Sequence, residues 1–141
     1  VAHNDIEVSG VPEVLAALAA LDVAADRQLD EVIDDAAETV ASRTRIRMPM
    51  GPQPGGHLRS SVRIDRGDLR ARVEHGGPRW PYAGWLEFGG RVGRRHAVRR
   101  EWVPRGRYLY PALSTVRPGL APAMHEGLRA AARESGWVPR G

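Results

Sequence analysis

Between Asp26 and Arg45 the apolar side chains fall at Leu29, Val32, Ile33, Ala36, Ala37 and Val40, with Thr44 completing the row. That recurrence of three and four places them on one stripe of an α-helix. Asp26, Asp30, Glu31, Asp34, Asp35 and Glu38 lie near the start or on the outer face, and Arg43, Arg45 and Arg47 close the segment. The order complements the helix dipole. Upstream, VPEVLAALAAL predicts a separate short helix. Pro12 sits in its first turn, where a missing N–H costs nothing, and Asp22 breaks the apolar run.

The helical pattern stops at residues 49–56, where three prolines and three glycines make a loop. Beyond it the period changes to two. Leu58, Val62 and Ile64, then Leu69, Ala71 and Val73, mostly alternate with polar residues, and Asp65-Arg66-Gly67-Asp68 supplies turn chemistry, so a β-hairpin is expected. Leu58 and Val62 are an even number of residues apart and should share a sheet face. Tyr82, Trp85, Leu86 and Phe88 predict a third strand closed by Gly89-Gly90, with Glu87 pointing to the opposite face from its neighbours. Residues 91–107 read as a long exposed loop, or as a hairpin returning near Glu101-Trp102-Val103. A last helix is expected from near Pro118 to Ser135, with Leu120, Met124, Leu128 and Ala131 or Ala132 inward and Pro122 near its first turn. Helices, then an antiparallel sheet, then a helix define an α+β fold in two layers, one domain over residues 1–141. The 46–57 and 89–107 loops are its exposed parts.

Composition narrows the chemistry. There is no cysteine, which removes disulfides, thiolate metal sites and a cysteine nucleophile. No run approaches the roughly 20 apolar residues of a membrane span, and the start lacks a signal-peptide pattern, so a soluble protein made in a cytoplasm is expected. Every basic residue is arginine, which fits the codon bias of a GC-rich genome and weakens arginine number as a sign of nucleic-acid binding. Position is more telling. Residues 1–42 carry ten acids and one base, Arg27, while residues 43–141 carry twenty arginines and seven acids. The subunit is therefore dipolar, suited to meeting copies of itself acid to base. A solvated acidic helix beside an ordinary basic surface is the plainer alternative.

A catalytic reading finds no support in the residues. His3, His57, His75, His96 and His125 are scattered, with no pair at metal-ligand spacing. Adjacent Asp34 and Asp35 diverge by about 100° on a helix and do not make a carboxylate pair. Ser60 and Ser61 lack a nucleophile-elbow context. The glycine-rich stretch 49–61 feeds a strand and has no G-K-[ST] ending, so it is no phosphate cradle. No catalytic residue, cofactor or metal is expected.

Candidate contact residues cluster in 91–107, which holds Arg91, Arg94, Arg95, Arg99, Arg100, Arg105 and Arg107 against one acid, Glu101. As an arm, the segment would dock on an acidic neighbour through bidentate Arg–carboxylate bonds, with Asp30, Asp34 and Glu38 of the next copy as partners. As a nucleic-acid surface, the arginines would meet phosphates while Trp102 stacks. Trp80 and Trp102, flanked by proline and charge, are interface candidates; Leu86 and Phe88 are core candidates. Glu87 is a candidate ion-pair partner for an arginine of its own or a neighbouring subunit. Gly55 and Gly56 would release the helix-to-strand crossover by adopting angles closed to other residues, and Pro111 would fix the joint into the last helix.

Four motifs in order carry a resemblance. A long alanine-rich amphipathic helix precedes P-x(n)-G-x-L-R-x-S-[IV], here Pro49 through Gly56-His57-Leu58-Arg59-Ser60-Ser61-Val62. Then come a tyrosine and [VL]-E-[FY]-G, here Tyr82 and Leu86-Glu87-Phe88-Gly89, and an aromatic-L-x-P-A-[LF] step, here Tyr108-Leu109-Tyr110-Pro111-Ala112-Leu113. The chain resembles the tail-completion, or neck, proteins of lambda-like long-tailed phages (minor tail protein Z-like). That resemblance implies an α+β fold related to tail terminators and a virion subunit in a homo-oligomeric ring of six. The ring would complete the tail and join it to the head-closure or connector complex, beside terminator or tail-tube proteins. DNA would pass through its channel without sequence-specific contact, and no membrane would be involved. A small arginine-rich nucleic-acid-binding protein is the alternative. The arginine-rich insert and the prolines at 118 and 122 depart from the family pattern.

Overall fold

The computed structural model describes residues 9–50 and 58–137. Helix α1 runs unbroken over Val11–Arg47, about 55 Å at 1.5 Å per residue. The two helices expected on either side of Asp22 are therefore one. Neither glycine nor proline occurs from Glu13 to Met48, and one interior Asp costs only about 0.7 kcal/mol relative to Ala. Gly10 leads in with φ 82, and Met48 ends the helix in an extended conformation ahead of Pro49. The expected stripe is the packed face: Ala37, Val40, Ala41 and Thr44 are buried.

Strands β1 (Arg63–Gly67) and β2 (Arg70–Glu74) form the expected antiparallel hairpin, with Ile64 opposite Val73 and Gly67 opposite Arg70. The turn lies later than the sequence pattern placed it, at Asp68-Leu69, and Leu69 takes φ 48. Leu58 is not on a strand: Leu58–Ser61 is a single 3-10 turn, although Leu58 and Val62 are both buried in the core.

The expected third strand is instead helix α2 (Ala83–Phe88). Strands β3 (Gly90–Val92) and β4 (Val98–Arg100) follow as a small antiparallel ribbon, with a tight 3-10 turn at Arg94–His96 as its tip. The ribbon thus returns a few residues before Glu101-Trp102-Val103. Helix α3 spans Leu109–Glu134, well ahead of its expected start. Pro111 lies in its first turn rather than at a strand-to-helix joint, and Pro118 and Pro122 are inside it. An interior proline costs about 3 kcal/mol. Both prolines face solvent, where water can satisfy the carbonyls they orphan, while the opposite face is held against α1.

Helices α1 and α3 lie antiparallel. Arg43 donates to Thr115 Oγ1 at one end (2.6 Å), and Arg27 pairs with Glu134 at the other. Small residues let the axes approach: Ala112, Gly127 and Ala131 are buried on α3, and a Cβ at Gly127 would stand 3.5 Å from the Gln28 carbonyl oxygen and from Val32 Cγ2. Leu120 and Met124 face inward as expected, but Leu128 is exposed. The core lies under the C-terminal half of α1, where Ala41, Met48, Leu58, Val62, Ala83 and Tyr108 are buried together. Gly55 and Gly56, with most of the 46–57 loop, lie outside the described residues.

Candidate assembly interface

The L-R-x-S motif fastens the end of α1. Arg59 donates through Nη2 to the Met48 carbonyl (2.8 Å), and Arg45 donates to the Val62 carbonyl (2.9 Å). Ser61 Oγ donates to the Leu58 carbonyl (2.6 Å) and accepts the Gly76 N–H (2.7 Å), which ties the turn after α1 to the exit of β2.

The L-E-F-G motif fastens the start of α3. Glu87 is 1% exposed. Its Oε1 accepts the N–H groups of Arg107 (3.0 Å) and Tyr108 (3.1 Å), and its Oε2 accepts that of Leu109 (3.3 Å). Helix starts leave such amides unsatisfied, and Tyr108 at the cap position supplies no side-chain bond of its own. Glu87 caps α3 from a different helix. His75 Nε2 stands 3.0 Å from Glu87 Oε2, in a pair almost closed to solvent. Burial pushes the Glu87 carboxyl up, but the His75 bond and the Tyr108 and Leu109 amides outweigh it and hold the group below its ordinary value. Two glycines make room. A Cβ on Gly106 (φ +71) would lie 2.3 Å from Glu87 Oε1, and one on Gly89 (φ +94) would lie 1.9 Å from the Glu101 carbonyl oxygen.

Glu87 is therefore corrected from an interface candidate to an internal anchor: a helical turn, not a strand, carries it inward. Trp80 is half-buried and packs against the core. Arg107 and Arg100 are largely engaged within the chain. Arg107 donates to the carbonyls of Glu87 and Glu101, while Arg100 lies 5.6 Å from the Trp85 ring centre and donates to Tyr108 Oη (3.0 Å). Asp30, Asp34 and Glu38 already hold the tip of their own hairpin. Asp30 accepts the Leu69 N–H (2.8 Å), Asp34 lies 3.3 Å from Arg66, and Glu38 pairs with Arg66. Phe88 is half-buried outside the main core, against Trp102 at 5.8 Å and Tyr110 at 5.5 Å.

What remains on the surface is the ribbon. Arg91, Arg94, Arg95 and Arg99 are exposed, as is Arg105 beyond it. None of the five forms an ion pair or hydrogen bond among the described residues. Arg95 and His96 take φ 57 and 53 at the tip, a left-handed conformation costing about 1–2 kcal/mol for each such residue. Trp102 is 61% exposed beside the ribbon.

The ribbon is one of the two forms the sequence offered for 91–107; Arg59 and Ser61 were visible as motif residues but not in these roles, and His75 and Gly106 carried no signal of theirs. The usable signal was one charged residue between two large apolar ones in a motif that ends in glycine, a pattern better suited to a buried carboxylate than to a half-exposed strand.

Residues 13–89 match the model of a family described as "Bacteriophage HK97-gp10, putative tail-component". No curated protein and no solved structure matches the chain. The family match covers more than half of the 141 residues, from α1 to the glycine that closes the L-E-F-G motif. The protein is a structural component of a bacteriophage tail. It belongs to the HK97-gp10-like family. As such it is a virion protein that meets other phage structural proteins.

Proposed function

We propose that this tail component is a non-catalytic ring subunit at the head-proximal end of the tail, joining the completed tail to the head-closure or connector complex around the DNA channel. One observation carries the reading. A ribbon of exposed arginines stands on a rigid base with no acid of its own chain to neutralise it among the described residues. Guanidinium groups arranged this way favour bidentate pairing with carboxylates of another protein. The base is rigid because Gly89 is pressed onto the Glu101 carbonyl, and the Val103 N–H donates to the Phe88 carbonyl at 2.7 Å.

The neighbouring copy's Asp30, Asp34 and Glu38 are weaker partners than the sequence suggested, being engaged with Arg66 and Leu69. The ribbon's partner in this reading is an acidic surface of an adjoining ring. The nucleic-acid-binding alternative gains no support from the family match.

The test is replacement of Arg91, Arg94, Arg95 and Arg99 by Glu together, leaving Arg100 because it supports Tyr108. Phage carrying this variant should accumulate separate filled heads and finished tails while the purified protein keeps its unfolding midpoint. Normal joining of heads to tails would remove the ribbon from the account.

A further inference from the structure

The apolar stripe of α1 is longer than the helix that covers it. Leu18 still lines a cavity with Leu128, Ala132 and Trp137 at the end of α3, but Val11, Val14 and Leu15, further along the same stripe, are 47–61% exposed and outside it. This stretch lies beyond the Arg27–Glu134 pair that marks the end of α3. Its one charged residue is acidic, Glu13, and Asp22 follows before the first arginine at position 27.

At the opposite end of the helix pair is a groove of about 820 Å³ with Phe88, Tyr110 and Leu113 among its apolar lining and Arg47, Arg105 and Arg117 around it. No carboxylate lines it, and none of those three arginines has an ion pair or hydrogen bond among the described residues. Tyr110 is 48% exposed and stacks obliquely on Phe88.

We infer that the projecting end of α1 of one copy docks in the Phe88–Tyr110–Leu113 groove of a second copy of this chain. Apolar stripe meets apolar lining, and an acidic helix end meets arginines, whereas two α1 ends packed on each other would set acid against acid. The two surfaces are at opposite ends of one subunit, so the contact is heterologous. Repeated, it closes into a ring when the rotation between subunits allows. The inference rests on the ring reading above and adds to it the two surfaces that meet.

The absence of native cysteine makes the test direct. Leu15→Cys and Ser114→Cys each alter an exposed position, the latter lining the groove. The full chain carrying both is oxidised at increasing concentration in solution and in purified particles, then run without reductant beside the two single variants. Docking predicts a ladder of covalent multimers from the double variant, a dimer from the mixed single variants, and little product from either single variant alone. A Leu15→Cys dimer formed alone would replace the contact with an end-to-end one. Oligomers of the wild-type chain without the mixed product would overturn the docking and leave the ring standing. A chain that is monomeric both in solution and in particles would overturn both.

Discussion

The carboxylate of Glu87 and the imidazole of His75 stand 3.0 Å apart in the interior, and the same carboxylate accepts three backbone N–H groups at the start of α3. One side chain on α2 thereby joins the exit of β2 to the first turn of a helix beginning some twenty residues later. The other attachments at this end, Val103 to Phe88 and Gly89 against Glu101, locate the ribbon relative to that joint.

Removing the Glu87 carboxylate should therefore be costly. Glu87→Ala leaves buried amides and His75 without their acceptor, at about 1–3 kcal/mol for each buried group left unsatisfied. Glu87→Gln keeps an acceptor oxygen and should lose less. Urea unfolding of both variants measures the difference; a loss below about 1 kcal/mol in Glu87→Ala would mean that the cap contributes little.

Stability should also fall in acid through this group. Its folded value lies below the ordinary 4.5, so the unfolded chain binds the proton more readily and stability rises with pH across that interval. The contribution is fully present above the ordinary value and is lost as pH falls through the lowered one. The urea midpoint followed from pH 6 to roughly pH 3, a range bracketing the ordinary carboxyl value, should decline more steeply for the wild type than for Glu87→Gln. Parallel curves would assign the acid sensitivity to other carboxyls.

Two glycine substitutions should act in opposite directions. Gly89→Ala forces a Cβ to within 1.9 Å of a carbonyl oxygen at φ +94, and the left-handed backbone alone costs about 1–2 kcal/mol before the clash is counted. Gly119→Ala, inside α3 with nothing within 4 Å of the new Cβ, should stabilise by about 0.5–1 kcal/mol. Thermal unfolding of the pair checks both signs.

The acids on α1 should matter little to stability. Asp34 and Glu38 are 45% and 55% exposed in their pairs with Arg66, and such surface pairs contribute about 0–1 kcal/mol. Arg66→Ala should leave the midpoint nearly unchanged while speeding amide exchange at the hairpin tip near Leu69. A large drop in midpoint would show that the tip contact is part of the core.

How far the chain could be read in advance varies with the range of the forces involved. The stripe from Leu29 to Thr44 and the alternation around Ile64 and Val73 were legible because each element's own neighbours set its period. The run around Trp85, Leu86 and Phe88 was misread, since a short aromatic segment does not distinguish a helical turn from a strand. Asp22 misled because one interior Asp costs too little to stop a helix, and the prolines of α3 misled because packing of α1 against α3 overrides a local cost of a few kcal/mol. The role of Glu87 was illegible because its partners, His75 and the Arg107–Leu109 amides, reach it only through the tertiary fold. The free arginines of the ribbon were identifiable by composition; that Arg100 and Arg107 are held internally was not.

Electron cryomicroscopy of purified particles, with this chain located by a specific antibody fragment, would show where the subunit sits. A closed ring of these subunits is expected at the head-proximal end of the tail, with the ribbon of Arg91, Arg94, Arg95 and Arg99 against an adjoining ring. Finding the chain elsewhere along the tail, or as isolated copies without lateral contact, would contradict it.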